Sequence, residues 1–166
     1  TGGPPAGDPL ADPAGDGGPR SGRSAEASRP TSPTRCVLEP LPVPGGHPMS
    51  LVTGADPTGR FILGRSYPPR HDGTYPTLIW DDGKATRVEL PGSDQSLTDA
   101  TTTGAAVGTG WTDRGPLPYL VRDGRVTRLP VAGAAEARAI NDAGQIVGTR
   151  DSRQPVIWHS ADSAPV

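Results

Sequence analysis

Asn141-Asp142-Ala143-Gly144-Gln145-Ile146-Val147-Gly148 is the clearest of three stretches with one design: a turn closed by Gly, then a short β-rich run closed by a second Gly. Asp56-Pro57-Thr58-Gly59 leads in the same way to Phe61-Ile62-Leu63-Gly64, and Thr101-Thr102-Thr103-Gly104 to Ala105-Ala106-Val107-Gly108. The turn glycine stands at 59, 104 and 144, so the unit recurs after 45 and then 40 residues. That period falls in the length range of a four-stranded propeller blade.

Each unit reads as strand, tight turn, strand, variable loop, strand, tight turn, strand. After the loop comes an apolar run that aligns without gaps in all repeats: Thr77-Leu78-Ile79-Trp80, Pro118-Tyr119-Leu120-Val121 and Pro155-Val156-Ile157-Trp158. Asp82-Gly83 and Asp123-Gly124 then supply the dipeptide favoured by two-residue hairpins, whose central residues need positive φ. The returning segments 84–91 and 125–130 alternate apolar with charged side chains, the mark of a half-exposed outer strand. Strands are expected near 60–66, 76–81, 85–90, 105–109, 118–122, 125–129, 145–149 and 155–159. Helix is nearly excluded, since Ala134-Ala135-Glu136-Ala137-Arg138-Ala139 has helix propensity but falls where the repeats are joined, which leaves it a single turn at most. The recurrent Gly64, Gly108 and Gly148 predict either close packing of a neighbouring blade or a bulge that only Gly permits.

Composition divides the chain. Its first 48 residues hold 9 of the 23 Gly and 11 of the 21 Pro, and no Phe, Tyr or Trp precedes Phe61. With so few large apolar groups they cannot offset a backbone ordering cost of roughly 1–2 kcal/mol per residue, so residues 1–48 are expected to be a disordered Pro/Gly-rich leader or linker. Repeats are expected over 49–166, at about 50–92, 93–133 and 134–166. A net charge of −2 gives no field to recruit nucleic acid, and no apolar run approaches the ~20 residues of a membrane span. Cys36 is the single cysteine, so it is either an unpaired thiol or joined to a cysteine outside this chain.

Familiar catalytic patterns are missing. His47, His71 and His159 share no short spacing, which predicts no metal site, and no other cofactor is expected. Asp81-Asp82 are strand neighbours that point to opposite faces, and Asp82 belongs to a turn, so the pair does not suit general acid and base work. Gly-x-Ser-x-Gly is absent, and Gly59-x4-Gly64 lacks the Lys-Ser/Thr of a phosphate loop. The loops between second and third strands differ most: 65–75, 110–115 and 150–154. In a propeller they share a face with the connectors between blades. Tyr67, Arg70, His71, Tyr75, Trp111 and Arg114 are therefore the candidate ligand-binding residues, an aromatic and arginine mixture common at binding hot spots.

The third unit resembles the HAF repeats of bacterial, often extracellular, proteins, which carry an Ala-Ile-Asn-Asp-x-Gly-x-Val-Val-Gly core followed by an Ala-Phe-Leu-Trp strand. The match here is Ala139-Ile140-Asn141-Asp142-Ala143-Gly144-Gln145-Ile146-Val147-Gly148 with Pro155-Val156-Ile157-Trp158. The first two units depart from it at Pro57, at the extra residue between Gly59 and Gly64, and at Val121 in the place of Trp. The resemblance implies an all-β chain of antiparallel four-stranded propeller-type blades, an extracellular or cell-surface location, and no catalytic signature. About two and a half blades make an incomplete ring, because propellers use about four to eight. The expectation is thus a piece of a longer protein, whose ring is closed by further repeats or another subunit.

Three functions follow from these expectations. The first is a noncatalytic binding or interaction module for a protein or a carbohydrate. The second is a fragment of a propeller-fold hydrolase or lyase acting on extracellular glycans, in which Asp94, Asp99 and Glu136 converge only after ring closure. The third is structural support for a domain outside the chain.

Overall fold

The computed structural model describes residue 35 and residues 37–70 and 75–166, and in them the three repeats become three antiparallel sheets. Most of the leader, with Cys36, and residues 71–74 lie outside the described residues. The first sheet holds β1 (Met49–Ala55), β2 (Phe61–Tyr67), β3 (Thr77–Asp81) and β4 (Lys84–Val88). The second holds β5 (Ser93–Ala100), β6 (Ala106–Thr112), β7 (Gly115–Arg122) and β8 (Arg125–Arg128). The third holds β9 (Ala135–Ile140), β10 (Ile146–Arg150) and β11 (Gln154–Trp158). Strands neighbour one another in chain order within every sheet. Beside β11, the N–H and C=O of Val166 exchange hydrogen bonds of 3.0 Å with those of Ile157, so the place of a fourth strand is begun.

One turn starts all three sheets. Its glycine N–H donates to the carbonyl of Asp56, Thr101 or Asn141 at 2.9–3.0 Å, and Gly59, Gly104 and Gly144 take φ of 76°, 86° and 79°. The first turn residue also accepts on its side chain: Asp56 Oδ1 from Phe61 N–H, Thr101 Oγ1 from Ala105 N–H, and Asn141 Oδ1 from Gln145 N–H, at 2.7–3.0 Å. Asp, Thr and Asn thus substitute for one another because each puts an oxygen where the turn leaves a donor unpaired. Burial pushes the Asp56 carboxyl up, but hydrogen bonds from Thr58 and from the backbone of Phe61, Thr58 and Arg60 outweigh it and hold the group below the ordinary aspartate value. At the other hairpins Asp82-Gly83 and Asp123-Gly124 adopt φ of 45° and 78° and of 51° and 73°, as the dipeptide predicts.

A bulge interrupts the first strand of every sheet at one place. Register shifts between Val52 and Gly54, between Leu97 and Asp99, and where Val147 pairs Ala139 while Gly148 pairs Ala137. The extra residues are Thr53, Thr98 and Arg138. Beside each bulge a carbonyl leans on the facing glycine: a Cβ at Gly64 would meet Leu51 O at 2.3 Å, at Gly108 Ser96 O at 2.2 Å and at Gly148 Glu136 O at 1.9 Å. The recurrent glycine is therefore required by a bulge within its own sheet.

Ala135–Ile140 is strand, where the alanines of 134–139 predicted a single helical turn at most, and 95–98 lies in β5 rather than a connector. Alternation decides the first case: Ala135 and Ala137 are buried in the core that holds Trp158, while Glu136 and Arg138 point away. Helix propensity is worth only tenths of a kcal/mol per residue and yields to such packing. Strands also run further into the variable segments than expected, since β2 reaches Tyr67 and β6 reaches Thr112.

The second sheet is covered on both faces. Ala106, Tyr119 and Val121 pack with Phe61, Leu63 and Leu97, whereas Val107 and Leu120 pack with Ile146, Val156 and Trp158. Trp80, Val121 and Trp158 occupy equivalent places, opposite Ile62, Ala106 and Ile146. Both indoles bury their N–H with a partner: Trp80 Nε1 donates to Pro42 O at 2.7 Å and Trp158 Nε1 to Pro130 O at 2.8 Å. A buried N–H left unpaired would cost about 1–3 kcal/mol, and in both sheets the acceptor is the proline of a Leu-Pro pair that precedes the first strand. Pro42 belongs to the unit Glu39–Val166, which therefore includes residues 39–48.

Adjacent sheets are joined by a repeated hydrogen bond from the bulge residue. Thr53 Oγ1 donates to Leu97 O at 2.5 Å, and Thr98 Oγ1 to Ala137 O at 3.2 Å, the same positions one repeat on. The second junction adds Ile140 N–H to Asp99 and Thr102 N–H to Asp142, both at 2.8 Å. At the first junction Gly54 and Pro57 stand in the places of Asp99 and Thr102, and neither offers the group required.

Replacing Gly148 by Ala is expected to lower unfolding free energy by about 1–3 kcal/mol, while Gln154→Ala at the exposed start of β11 stays within about 0.5 kcal/mol; denaturant midpoints decide, and equal shifts would remove the glycine's packing role. Because the folded-state value of Asp56 lies below the unfolded one, its contribution is present above about pH 3.9 and is lost as pH falls through the folded value. The gap in melting temperature between the wild type and Asp56→Asn should accordingly narrow on acidification, and a gap independent of pH would refute the assignment.

Candidate functional site

The β2–β3 and β6–β7 connections and the turn after β10 lie at the same end of the sheets as the connectors that follow β4 and β8. Antiparallel order alone requires this, and the hydrogen bond of 3.1 Å from Asp151 N–H to Ala134 O joins one such turn to one such connector. Chain here is free of the core's packing demand.

At the junction of the first two sheets, Arg65 on β2 organises an aromatic pair. The Tyr67 and Tyr75 rings lie 4.9 Å apart at 50°, and the Arg65 guanidinium stands 5.3 and 5.7 Å from their centroids. Arg65 Nε donates to Tyr67 Oη at 2.6 Å, and Nη1 donates to Asp94 Oδ1 at 2.8 Å. Asp94 adopts φ of 41° at the start of β5, where the pairing with β6 shifts register between Ser93 and Ser96. Both tyrosines are half-buried, with their remaining surface at the loop end.

A second feature sits at the end of the middle sheet. Asp113 and Arg114 form the β6–β7 turn, and with Thr112, Leu117, Arg128 and Gly133 they line a cleft of about 530 Å³. Thr112 Oγ1 donates to Gly115 O at 2.9 Å and accepts from Arg114 N–H at 3.2 Å, which fixes the turn. Among the described residues neither Arg114 nor Arg128 forms an ion pair. Arg128 also pulls on buried Tyr119, whose hydroxyl burial pushes up and the guanidinium pulls down, with burial the larger effect.

The structure thus brings Tyr67 and Tyr75 together and gives Arg114 to a separate cleft. Trp111, 42% exposed, stands on β6 one residue from Thr112 and so on the opposite face of the strand. Arg70 is exposed on the β2–β3 connection, and His71 lies outside the described residues. Arg65 and Arg128 were not among the sequence candidates, and Asp94 was weighed only as a catalytic acid. Arg65 and Asp94 are 29 positions apart, and only the stacking of two sheets joins them. The acids weighed for catalysis each have a local partner: Asp94 holds Arg65, Asp99 accepts from Ile140 N–H, and Glu136 lies 2.6 Å from Arg138. No cluster of His, Cys, Asp and Glu able to hold a metal occurs among the described residues, and no helix there is long and apolar enough to cross a membrane. No family model, curated protein or solved structure matches the chain.

The two arginines should respond differently to removal. Arg65→Ala loses a partly screened ion pair, a hydrogen bond and two ring contacts, and is expected to cost about 1–2 kcal/mol of stability. Arg114→Ala is expected to stay within about 0.5 kcal/mol. Chemical denaturation of both variants is the measurement, and equal losses would contradict the division of roles.

Proposed function

We propose that the chain is a noncatalytic binding module built of propeller-type blades, and that it meets a protein or carbohydrate ligand with the loop end of its sheets. The blade reading is supported by sheets of four strands in chain order, by passage from the outer strand of one sheet to the first strand of the next, and by the repeated bulge and inter-sheet hydrogen bond. An extracellular or cell-surface setting follows from the resemblance to HAF repeats. The observation that carries the binding role is the Tyr67–Tyr75 pair, locked by Arg65 and Asp94, with a separate cleft at the same end of the sheets that holds Arg114 and Arg128. A preformed aromatic platform offers flat apolar area at little entropic cost, and guanidinium groups without ion partners offer directed donors to carboxylate, hydroxyl or carbonyl oxygens. The local bonding of Asp94, Asp99 and Glu136 favours this over a hydrolase or lyase.

Titrating the isotopically labelled protein with neutral oligosaccharides, uronic-acid oligosaccharides and proline-rich peptides tests the proposal by amide shifts. At least one class is expected to perturb residues 65–75 and 111–114 without being turned over. Arg114→Ala should weaken that ligand by about tenfold, the equivalent of 1.4 kcal/mol. Shifts confined to other surfaces, or release of a cleaved glycan, would overturn it.

A further inference from the structure

Two positions break the equivalence of the three sheets, and they lie on opposite sides of the stack. Leu63 and Val107, which precede the bulge-facing glycine in β2 and β6, are 0% exposed beneath the next sheet, whereas Val147 at the same place in β10 is 45% exposed. Leu97 and Ala137, which precede the bulge in β5 and β9, are 0% exposed beneath the preceding sheet, whereas Val52 at the same place in β1 is 53% exposed. Val147 and Val52 therefore remain apolar and exposed where their equivalents are buried, although Leu78 and Trp80, on the same face as Val52, are each only 1% exposed.

The two faces are the two halves of one interface. Around Val147 lies a shallow depression of about 430 Å³ lined by Arg138, Pro155, Ile157 and Val166. The face of the first sheet is already fitted for a sheet in front of it, because Pro42 accepts from Trp80 as Pro130 accepts from Trp158 at the junction of the second and third sheets.

We propose that the chain associates head to tail with a second copy of itself, the β10–β11 face of one lying on the β1–β2 face of the other. The contact repeats the one between successive sheets: Thr53 reaches Leu97 O and Thr98 reaches Ala137 O, and by the same step of one repeat Arg138 reaches the carbonyl of Val52 in the second copy. A guanidinium on a longer stem makes that bond as a charge-assisted donor. The interface is heterologous, so two copies close only when the rotation per sheet returns on itself. Two copies of the three described sheets make six, within the roughly four to eight of a closed propeller. That closure rests on the blade reading proposed above; the face-to-face contact does not.

Light scattering on the eluting full chain tests this. The wild type should show a mass above that of the 17.1 kDa chain, and twice that mass if the ring closes. Val52→Asp and Val147→Asp should each return the protein to a monomer, with an unchanged far-UV spectrum because both side chains stand in solvent in the single chain. Their equimolar mixture should recover a dimer, since the intact β10–β11 face of Val52→Asp meets the intact β1–β2 face of Val147→Asp. A wild type that stays monomeric at submillimolar concentration overturns the proposal, as does an assembly that survives either substitution or a mixture that fails to associate. An assembly abolished by only one substitution would mean a face meeting its own copy, and also overturns it. None of these results touches the loop-end shifts, so ligand binding by that surface stands or falls separately.

Discussion

The extra residue in the first strand of each sheet controls more of this molecule than any single core contact. At Thr53, Thr98 and Arg138 it lifts the strand out of regular pairing, and two consequences follow from that one distortion. A carbonyl is pushed against the neighbouring strand so closely that only glycine fits opposite. The displaced side chain is aimed beyond its own sheet, where threonine can donate to the next sheet's backbone. Bulges increase local twist as well, and stacked sheets need a consistent twist to keep their faces in contact.

Stacking then sorts the side chains. The middle sheet is covered on both faces, and it answers with small and branched residues, Ala106, Val107, Leu120 and Val121, where one-sided strands would alternate with polar ones. The third sheet places alanines on its first strand and a tryptophan on β11 within the same core, so bulk at one position is matched by its absence at another. Close packing of this kind transmits any change of volume to both neighbours, and in the middle sheet Val121, in the place of tryptophan, shares its cluster with Tyr119 and Leu117.

The loop end obeys a different logic. Its residues are not required by the core, and the aromatic and basic groups there divide into those spent on order and those left over. Arg65 is fully engaged, joining two rings to a carboxylate across a sheet junction, and so gives the tyrosines a fixed attitude. Arg114 and Arg128 stand at a cleft without an acidic counterpart. A surface that combines a locked platform with uncommitted donors is well suited to recognition, because little ordering entropy is lost when a ligand arrives.

The all-β character and most strand positions were legible in the sequence. The Asp-Gly hairpins, the turn glycines, the ungapped Leu-Ile-Trp type strands and the half-exposed outer strands each rest on local chemistry, positive φ or two-residue alternation, that a few neighbouring residues decide on their own. The alanine-rich 135–140 strand was hidden, since its intrinsic preference is helical and only the facing sheet rewards extended alternation. Of the candidate site the sequence offered Tyr67, Tyr75 and Arg114, because the variable segments stand out by their lack of repetition. Arg65 meeting Asp94, Arg114 meeting Arg128, and the contrast between buried Val107 and open Val147 belong to the tertiary structure alone. Those relations depend on which sheet lies against which, and that contact joins residues too far apart in the chain for any local preference to encode.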